Sequence, residues 1–370
     1  MFYFPEELIN EVLLKSPVKS LLRFRSVKKS WRDLIDNPDF IKKHMEQSMK
    51  KGSSVEVIHR CDINKFYSMH LDLSGKLIRD PEELPHPFGY RYDHDNSVVY
   101  IGPYDIHLVG SCNGLVCFVD SAHRIILWNL ATRKYFELQH LDTELSRLID
   151  LDLIYSVNYG FGYDGATDDY KIIRLINLYN NESDCFLVEF YSLKSKSWKR
   201  FEDLVSRTRL DHYGILVGGA LHWLTYETQW ETQWDDDESP IVAFDLTLEK
   251  FNLVPCLHLP GKIASMNLGT FQGCLSLFCH YHKAGGELWV MKDYGIKESW
   301  TKVYTNNKTS IRYMRAIDHS IMEINENRLK WYNSLKENCL KKIKICCATE
   351  ECLEACVHYE SLVGIDLMGL

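Results

Sequence analysis

Along the first fifty positions the apolar residues recur at helical spacing; beyond about residue 55 they alternate in strand-like runs. Pro5 followed by Glu6 and Glu7 opens a helix, because proline fits a first helical turn and acids favour its positive dipole end. Leu8, Ile9, Val12 and Leu13 then form one stripe. Ser16-Pro17 reads as a cap followed by proline at the first helical position, starting a second helix through Val18, Leu21 and Leu22. A third helix carries Val27, Trp31, Leu34 and Ile35 and ends at Asp36-Asn37-Pro38, and Phe40, Ile41, His44 and Met45 add one further helical turn. So short a bundle lies below the roughly 70–80 residues at which a core sustains itself. Its surplus of apolar residues must be covered by another domain, by a partner, or by both.

The strand-like runs include Val98–Ile101, Leu115–Phe118, Ile125–Trp128, Lys171–Leu175 and Phe186–Tyr191, separated by clusters of turn residues. A diverged repeat underlies them. Trp128-Asn129-Leu130-Ala131-Thr132-Arg133-Lys134-Tyr135 matches the segments Tyr191–Trp198 and Phe244–Phe251, with aromatic residues seven apart around a polar turn. Met291–Trp300, Tyr332–Cys339 and Leu71–Lys76 read as longer, degraded and earlier copies. Gly114, Gly162, Gly219 and Gly273 each precede a strand of one unit. Five or six small antiparallel sheets are expected, closed into a ring so that sheet edges are removed, or left as an open pair of sheets. A last strand near Ser361–Ile365 is expected to pair with the first sheet. The fold class is therefore α+β: a helical module over 1–50 and a mostly antiparallel-β, propeller-like domain over 51–370.

Charge sharpens this division. Residues 1–51 carry 11 Lys/Arg against 7 Asp/Glu, which leaves a net charge of −12 on the remainder of a chain whose total is −8. An acidic large domain argues against nucleic acid as ligand and favours a basic partner. No segment approaches the roughly 20 apolar residues of a membrane span, and the N-terminus lacks the layout of a secretory signal. The 12 cysteines are then expected as reduced thiols, and the location as cytoplasm or nucleus.

The stretch from Phe4 to about His44 resembles a plant F-box, in the phrases Phe4-Pro5-Glu6-Glu7-Leu8, Pro17-Val18-Lys19-Ser20-Leu21-Leu22-Arg23-Phe24 and Ser30-Trp31-Arg32-Asp33-Leu34-Ile35. Phe4 and Ser16 stand where the family usually has leucine, and the second departure removes an apolar contact. The resemblance implies docking on a Skp-type adaptor and, through it, on a cullin RING ubiquitin ligase. It assigns the adaptor-facing role to Pro5, Leu8, Ile9, Val12, Leu13, Pro17, Val18, Leu21, Leu22, Val27, Trp31 and Ile35. From about 107 to 304 the chain resembles the F-box-associated, kelch-like domain of plant F-box proteins, in Gly110–Cys117, Trp128–Lys134, Gly160–Asp164 with Asp168–Lys171, Gly219–Trp223 and Leu288–Gly295 with Glu298–Lys302. Leu130 replaces a usual proline. This second resemblance implies a substrate-binding domain and supplies no catalytic residue.

Candidate chemistry is sparse. Cys346-Cys347, Cys352 and Cys356 lack paired C-x-x-C knuckles, and Cys279-His280-Tyr281-His282 alternates faces on a strand, so no metal ligand, cofactor or catalytic residue is assigned. Gly160–Gly165 lacks both the phosphate-cradling glycine pattern and a following helix. Asp168-Asp169 is expected as a solvated turn tip. Residues 227–238 repeat Glu-Thr-Gln-Trp and end in four acids; Trp230, Trp234, Asp235, Asp236 and Asp237 are candidates for binding a basic target, against the plainer reading of a duplicated insertion folded on the sheet.

The expected function is the substrate-recognition subunit of an SCF-type ubiquitin ligase, a non-catalytic receptor that brings a target protein to ubiquitination and degradation. A narrower alternative is an S-locus-type F-box recognising ribonucleases in pollen self-incompatibility. An alternative of another class is an adaptor-bound propeller scaffold with no ligase role.

Overall fold

The computed structural model describes residues 5–51, 54–62, 65–72, 76–85, 91–92, 98–99, 106–138, 148, 151, 153–178, 185–201, 209–210, 213–226, 241–257, 263–281, 285–306, 313–317, 320–325, 328–333, 341–344 and 354–364. Four helices open the chain: α1 (Glu6–Leu14), α2 (Val18–Phe24), α3 (Lys29–Ile35) and α4 (Pro38–Lys51). The last is three turns longer than the single turn expected from Phe40–Met45. Asn37 explains its start, since its side-chain oxygen accepts the backbone N–H groups of Asp39 at 2.8 Å and Phe40 at 3.4 Å, with Pro38 following in the first turn. Ser16 does not cap α2. Its hydroxyl turns back to donate to the Val12 carbonyl at 2.8 Å, and Pro17 holds the cap position. None of the described helices is long and apolar enough to cross a membrane.

After α4 the described residues are mostly strand, with one short 3-10 turn at Lys297–Ser299. Among the described residues there are six antiparallel sheets of four or five strands and one two-stranded ribbon (Arg91–Tyr92 with Val98–Val99). The first sheet is assembled from both ends of the chain. Strands Ser54–Asp62, Lys65–Asp72 and Leu77–Glu83 follow in order, and Ala355–His358 pairs antiparallel with the free side of Ser54–Asp62. A closing strand is thus present, but it lies before the expected Ser361–Ile365 segment. Residues 361–364 run in irregular conformation instead. The physical gain is the one anticipated: the edge of the first strand no longer offers unpaired N–H and C=O groups.

The hairpin repeat seen in the sequence recurs in structure with one register. Trp128 lies opposite Tyr135, Tyr191 opposite Trp198, and Phe244 opposite Phe251, each pair joining the last two strands of a sheet. The loop of each turns through a left-handed residue at the same position, Arg133, Lys196 and Glu249. The residue after the leading aromatic supplies a side-chain oxygen that accepts a turn N–H three residues on: Asn129 from Thr132, Ser192 from Ser195, Asp245 from Leu248. The repeat is therefore one turn built three times, with Asn, Ser and Asp as interchangeable acceptors. Gly114, Gly219 and Gly273 occupy the second position of two-residue turns with both φ angles positive. Gly162 differs. It lies inside strand Ile154–Asp164, where a Cβ would meet Leu216 and Leu246.

The chain divides into two compact units, Met1–Gln139 with Glu354–Leu370, and His140–Leu353. In the first, Ile58 and Phe66 of the first sheet pack on Val116, Phe118, Ile126 and Trp128 of the sheet spanning Ile106–Leu138. In the second, Ile173, Val188, Phe190, Trp223 and Phe244 form one core and Leu224, Ile241, Leu277, Met291 and Trp300 belong to another.

Candidate docking surface

The helices distribute their apolar residues to two sides. Leu13, Val18, Leu21, Ile35, Phe40 and Ile41 are buried together, with Ile9, Leu14, Leu22, Phe24, Trp31 and Leu34 packed against them. Leu362, Val363 and Ala131 of the strand-rich part belong to the same cluster, so the bundle borrows core from the chain's own C-terminal segment. That segment is held in place by Asn129, whose amide donates to the carbonyls of Ser361 at 3.0 Å and Val363 at 2.8 Å. Ser361 in turn donates to the Asn113 carbonyl at 2.8 Å. The helices hold one another through Arg25, which pairs in a forked manner with Asp36 at 2.7 and 2.8 Å. His44 donates from Nε2 to the Ser16 carbonyl at 2.9 Å, and Phe24 meets Trp31 edge to face at 5.8 Å.

The other side stays open. Leu8 and Val12 on α1 and Val27 before α3 are 48%, 61% and 65% exposed, and Pro5 and Pro17 are exposed beside them. Of the residues assigned to the adaptor on resemblance, Leu13, Val18, Leu21 and Ile35 are inside the chain's own core; Ile9, Leu22 and Trp31 are half-buried. One stripe in the sequence is thus two faces in the structure, because α1 presents Ile9 and Leu13 inward and Leu8 and Val12 outward.

In the strand-rich part the buried charges answer one another. Lys171 reaches Asp164 at 3.2 Å, Glu249 at 3.0 Å and the Leu246 carbonyl at 2.5 Å. Burial by itself raises the Asp164 pKa. Hydrogen bonds from Thr167, Thr247, the Ala166 N–H and Lys171 outweigh it and hold the carboxyl well below its usual range. Arg174 pairs with Glu189, with Trp198 stacked 4.2 Å from its guanidinium. Asp169 is no solvated tip: it is buried and accepts from the Ser192 hydroxyl and the Lys194 N–H. Burial raises the Cys279 thiol, and Cys279 and Tyr281 share one buried side of their strand while His280 takes the other, half-buried one. These groups brace the sheets. The candidates Trp230, Trp234, Asp235, Asp236 and Asp237, and Cys346, Cys347 and Cys352, lie outside the described residues.

Two families match this sequence: the F-box domain over residues 2–43 and the F-box associated beta propeller domain over residues 56–365. The chain belongs to the F-box proteins. Its helices are the F-box and its antiparallel sheets are of the β-propeller class. Among Arabidopsis thaliana relatives, F-box protein CPR1 is 30% identical over 92% of this chain and 85% of that protein. F-box/kelch-repeat protein At3g23880 is 30% identical over 81% of this chain and 78% of its own length. F-box protein At4g22390 is 26% identical over 89% and 83%. An F-box implies binding of a Skp-type adaptor in an SCF complex, and an F-box joined to a propeller supports a substrate-recognition role. Proteins of this family are typically non-catalytic substrate adaptors.

Proposed function

We propose that this F-box protein is the receptor subunit of an SCF-type ubiquitin ligase: its open helical face holds the adaptor and its propeller domain holds a target protein for ubiquitination and degradation in the cytoplasm or nucleus. The observation that carries the reading is the division of the F-box into a buried side, seated on Leu362 and Ala131, and an exposed side with Leu8, Val12 and Val27. Leaving such side chains in water forgoes about 1.5–3 kcal/mol each relative to burial, which an apolar adaptor surface recovers. No reactive group is required of the receptor, since holding a target lysine near a ubiquitin-charged enzyme raises its effective concentration. The net charge of −12 beyond residue 51 supports a basic target, drawn in by long-range attraction. A basic ribonuclease, as in S-locus recognition, is one member of that class, and pollen-restricted expression is the sign that separates it from the others.

The test is capture by a purified Skp-type adaptor. Val12→Asp with Val27→Asp changes two exposed positions, so the chain should keep its circular dichroism spectrum while adaptor affinity falls by about a hundredfold or more. Undiminished capture by the folded double variant removes this face from the interface. A ligase role further requires that proximity-labelled partners accumulate in ubiquitinated form when the proteasome is inhibited; partners that never do so favour a scaffold.

A further inference from the structure

The closing strand brings together a set of side chains that lie some 290 residues apart in the chain. On the first sheet Glu56 stands directly opposite His70 on one neighbouring strand and opposite His358 on the other, so the three form one row across the sheet. Glu360, just past the closing strand, joins them: ligand atoms of Glu56, His70 and Glu360 all lie within 4.8 Å of one another. His70 Nε2 is 3.5 Å from Glu56 Oε1, and His358 Nε2 is 3.8 Å from Glu56 Oε2. The edge of a tetrahedron with metal–ligand bonds of about 2.0–2.1 Å is about 3.3 Å, so the 3.5 Å and 3.8 Å separations from Glu56 need only a small closure around a shared ion.

A second, independent observation points into the same space. His358 is completely buried, and its Nε2 has no hydrogen-bond partner. Its Nδ1 lies 3.1 Å from Ser111 Oγ. With the proton on Nδ1 and donated to Ser111, the Nε2 lone pair faces the Glu56 carboxylate, a repulsive arrangement that a cation between them relieves. With the proton on Nε2, the carboxylate at 3.8 Å is beyond hydrogen-bond reach. Neither tautomer satisfies the atom from within the described residues. The Ser68 hydroxyl donates to Glu56 Oε1 and fixes that carboxylate, and Ser111 fixes the His358 ring, the outer support that metal ligands commonly have.

We propose that Glu56, His70, Glu360 and His358 form a site for a divalent transition metal of the zinc class. Two carboxylates match the charge of the dication, and two imidazoles select a borderline metal over magnesium or calcium. Lys19 of α2, Arg79 and Glu82 are the charged groups that act on His70 from the surroundings. The ion would tie the two first strands to the closing strand and the segment that follows it. That segment carries Ser361 and Leu362 to the F-box core, so occupancy would also fasten the seat of the helices.

The test uses the full-length chain, freed of metal with a chelator and titrated with Zn2+ alone, then with Co2+. One Zn2+ per chain should bind calorimetrically and raise the melting temperature. Glu360→Gln and His70→Gln, both at positions that are not fully buried, should weaken binding at least tenfold and abolish the rise. The Co2+ spectrum should show nitrogen and oxygen ligation without thiolate-to-cobalt charge transfer. Absence of binding by the unaltered chain, equal binding by folded variants, or thiolate bands from the cysteines each overturns the proposal.

Discussion

Gly114 and Gly219 hold the same position in two-residue turns and both sit at φ +83°, yet they differ in what surrounds them. A Cβ at Gly219 meets nothing within 4 Å, so Gly219→Ala should cost only the left-handed backbone penalty of about 1–2 kcal/mol. At Gly114 the added carbon overlaps the side chain of Ser361 and disturbs the bond from Ser361 to the Asn113 carbonyl. Gly114→Ala should therefore lose a further 1–3 kcal/mol or so, as overpacking does, in urea denaturation of the two variants. Equal losses would show that Ser361 does not press on this turn. The glycines were legible in the sequence as turn residues. The difference between them was not, because Ser361 is 247 positions away from Gly114 along the chain.

At the scale of elements, the helical stripe and the strand alternation were readable because each is a local period, 3.6 for one and 2 for the other. What a period cannot say is which apolar residue faces its own domain and which faces a partner. Leu13 and Val12 are adjacent in sequence and equally apolar, but only Leu13 belongs to the buried cluster with Leu362 and Ile35. The same limit misplaced the closing strand: Ser361–Ile365 is as apolar as a strand, but Ala355–His358 takes the free edge. The later residues are claimed by Asn129 and the F-box. Ending the chain before Glu354 removes that strand, leaves the Ser54–Asp62 edge bare and strips Leu362 from the helical core. Such a truncation should lose cooperative unfolding of the first unit and aggregate, read by light scattering and by amide exchange of Val57 and Ile58. Unchanged protection there would mean that the first sheet does not need its fourth strand.

For the molecule as a whole, stability should depend on acid through His222. This ring is fully buried, donates from Nδ1 to the Ile215 carbonyl at 3.1 Å and accepts the Tyr294 hydroxyl on Nε2 at 2.7 Å. Burial lowers its pKa to about 4, against the bonds to Ile215 and Ala220 that act to raise it. The unfolded chain takes up a proton near pH 6.5 and the folded chain does so only near 4. The stability the neutral ring supports is thus complete above pH 6.5 and drains as pH falls through that window, on the order of 3 kcal/mol in total. His222→Asn should flatten the melting temperature between pH 6.5 and 4 relative to the unaltered chain; an identical slope would assign the acid sensitivity elsewhere. A lone histidine in Gly219-Ala220-Leu221-His222-Trp223 gives no hint of this in sequence, since Tyr294 lies in a turn after the strand Gly285–Met291, 72 residues further along the chain.

The order of the chain by itself determined the class: helices first, then repeated hairpins with aromatic residues seven apart around a polar turn, with a surplus of apolar residues at the N-terminus. These follow from local propensity and spacing, which act between near neighbours. Only the tertiary structure decided which face of the F-box is free, which segment closes the first sheet, and that Glu56, His70, His358 and Glu360 meet. Those outcomes depend on pairing the two ends of the chain, where strand edges, buried polar groups and apolar side chains from distant positions must be satisfied together.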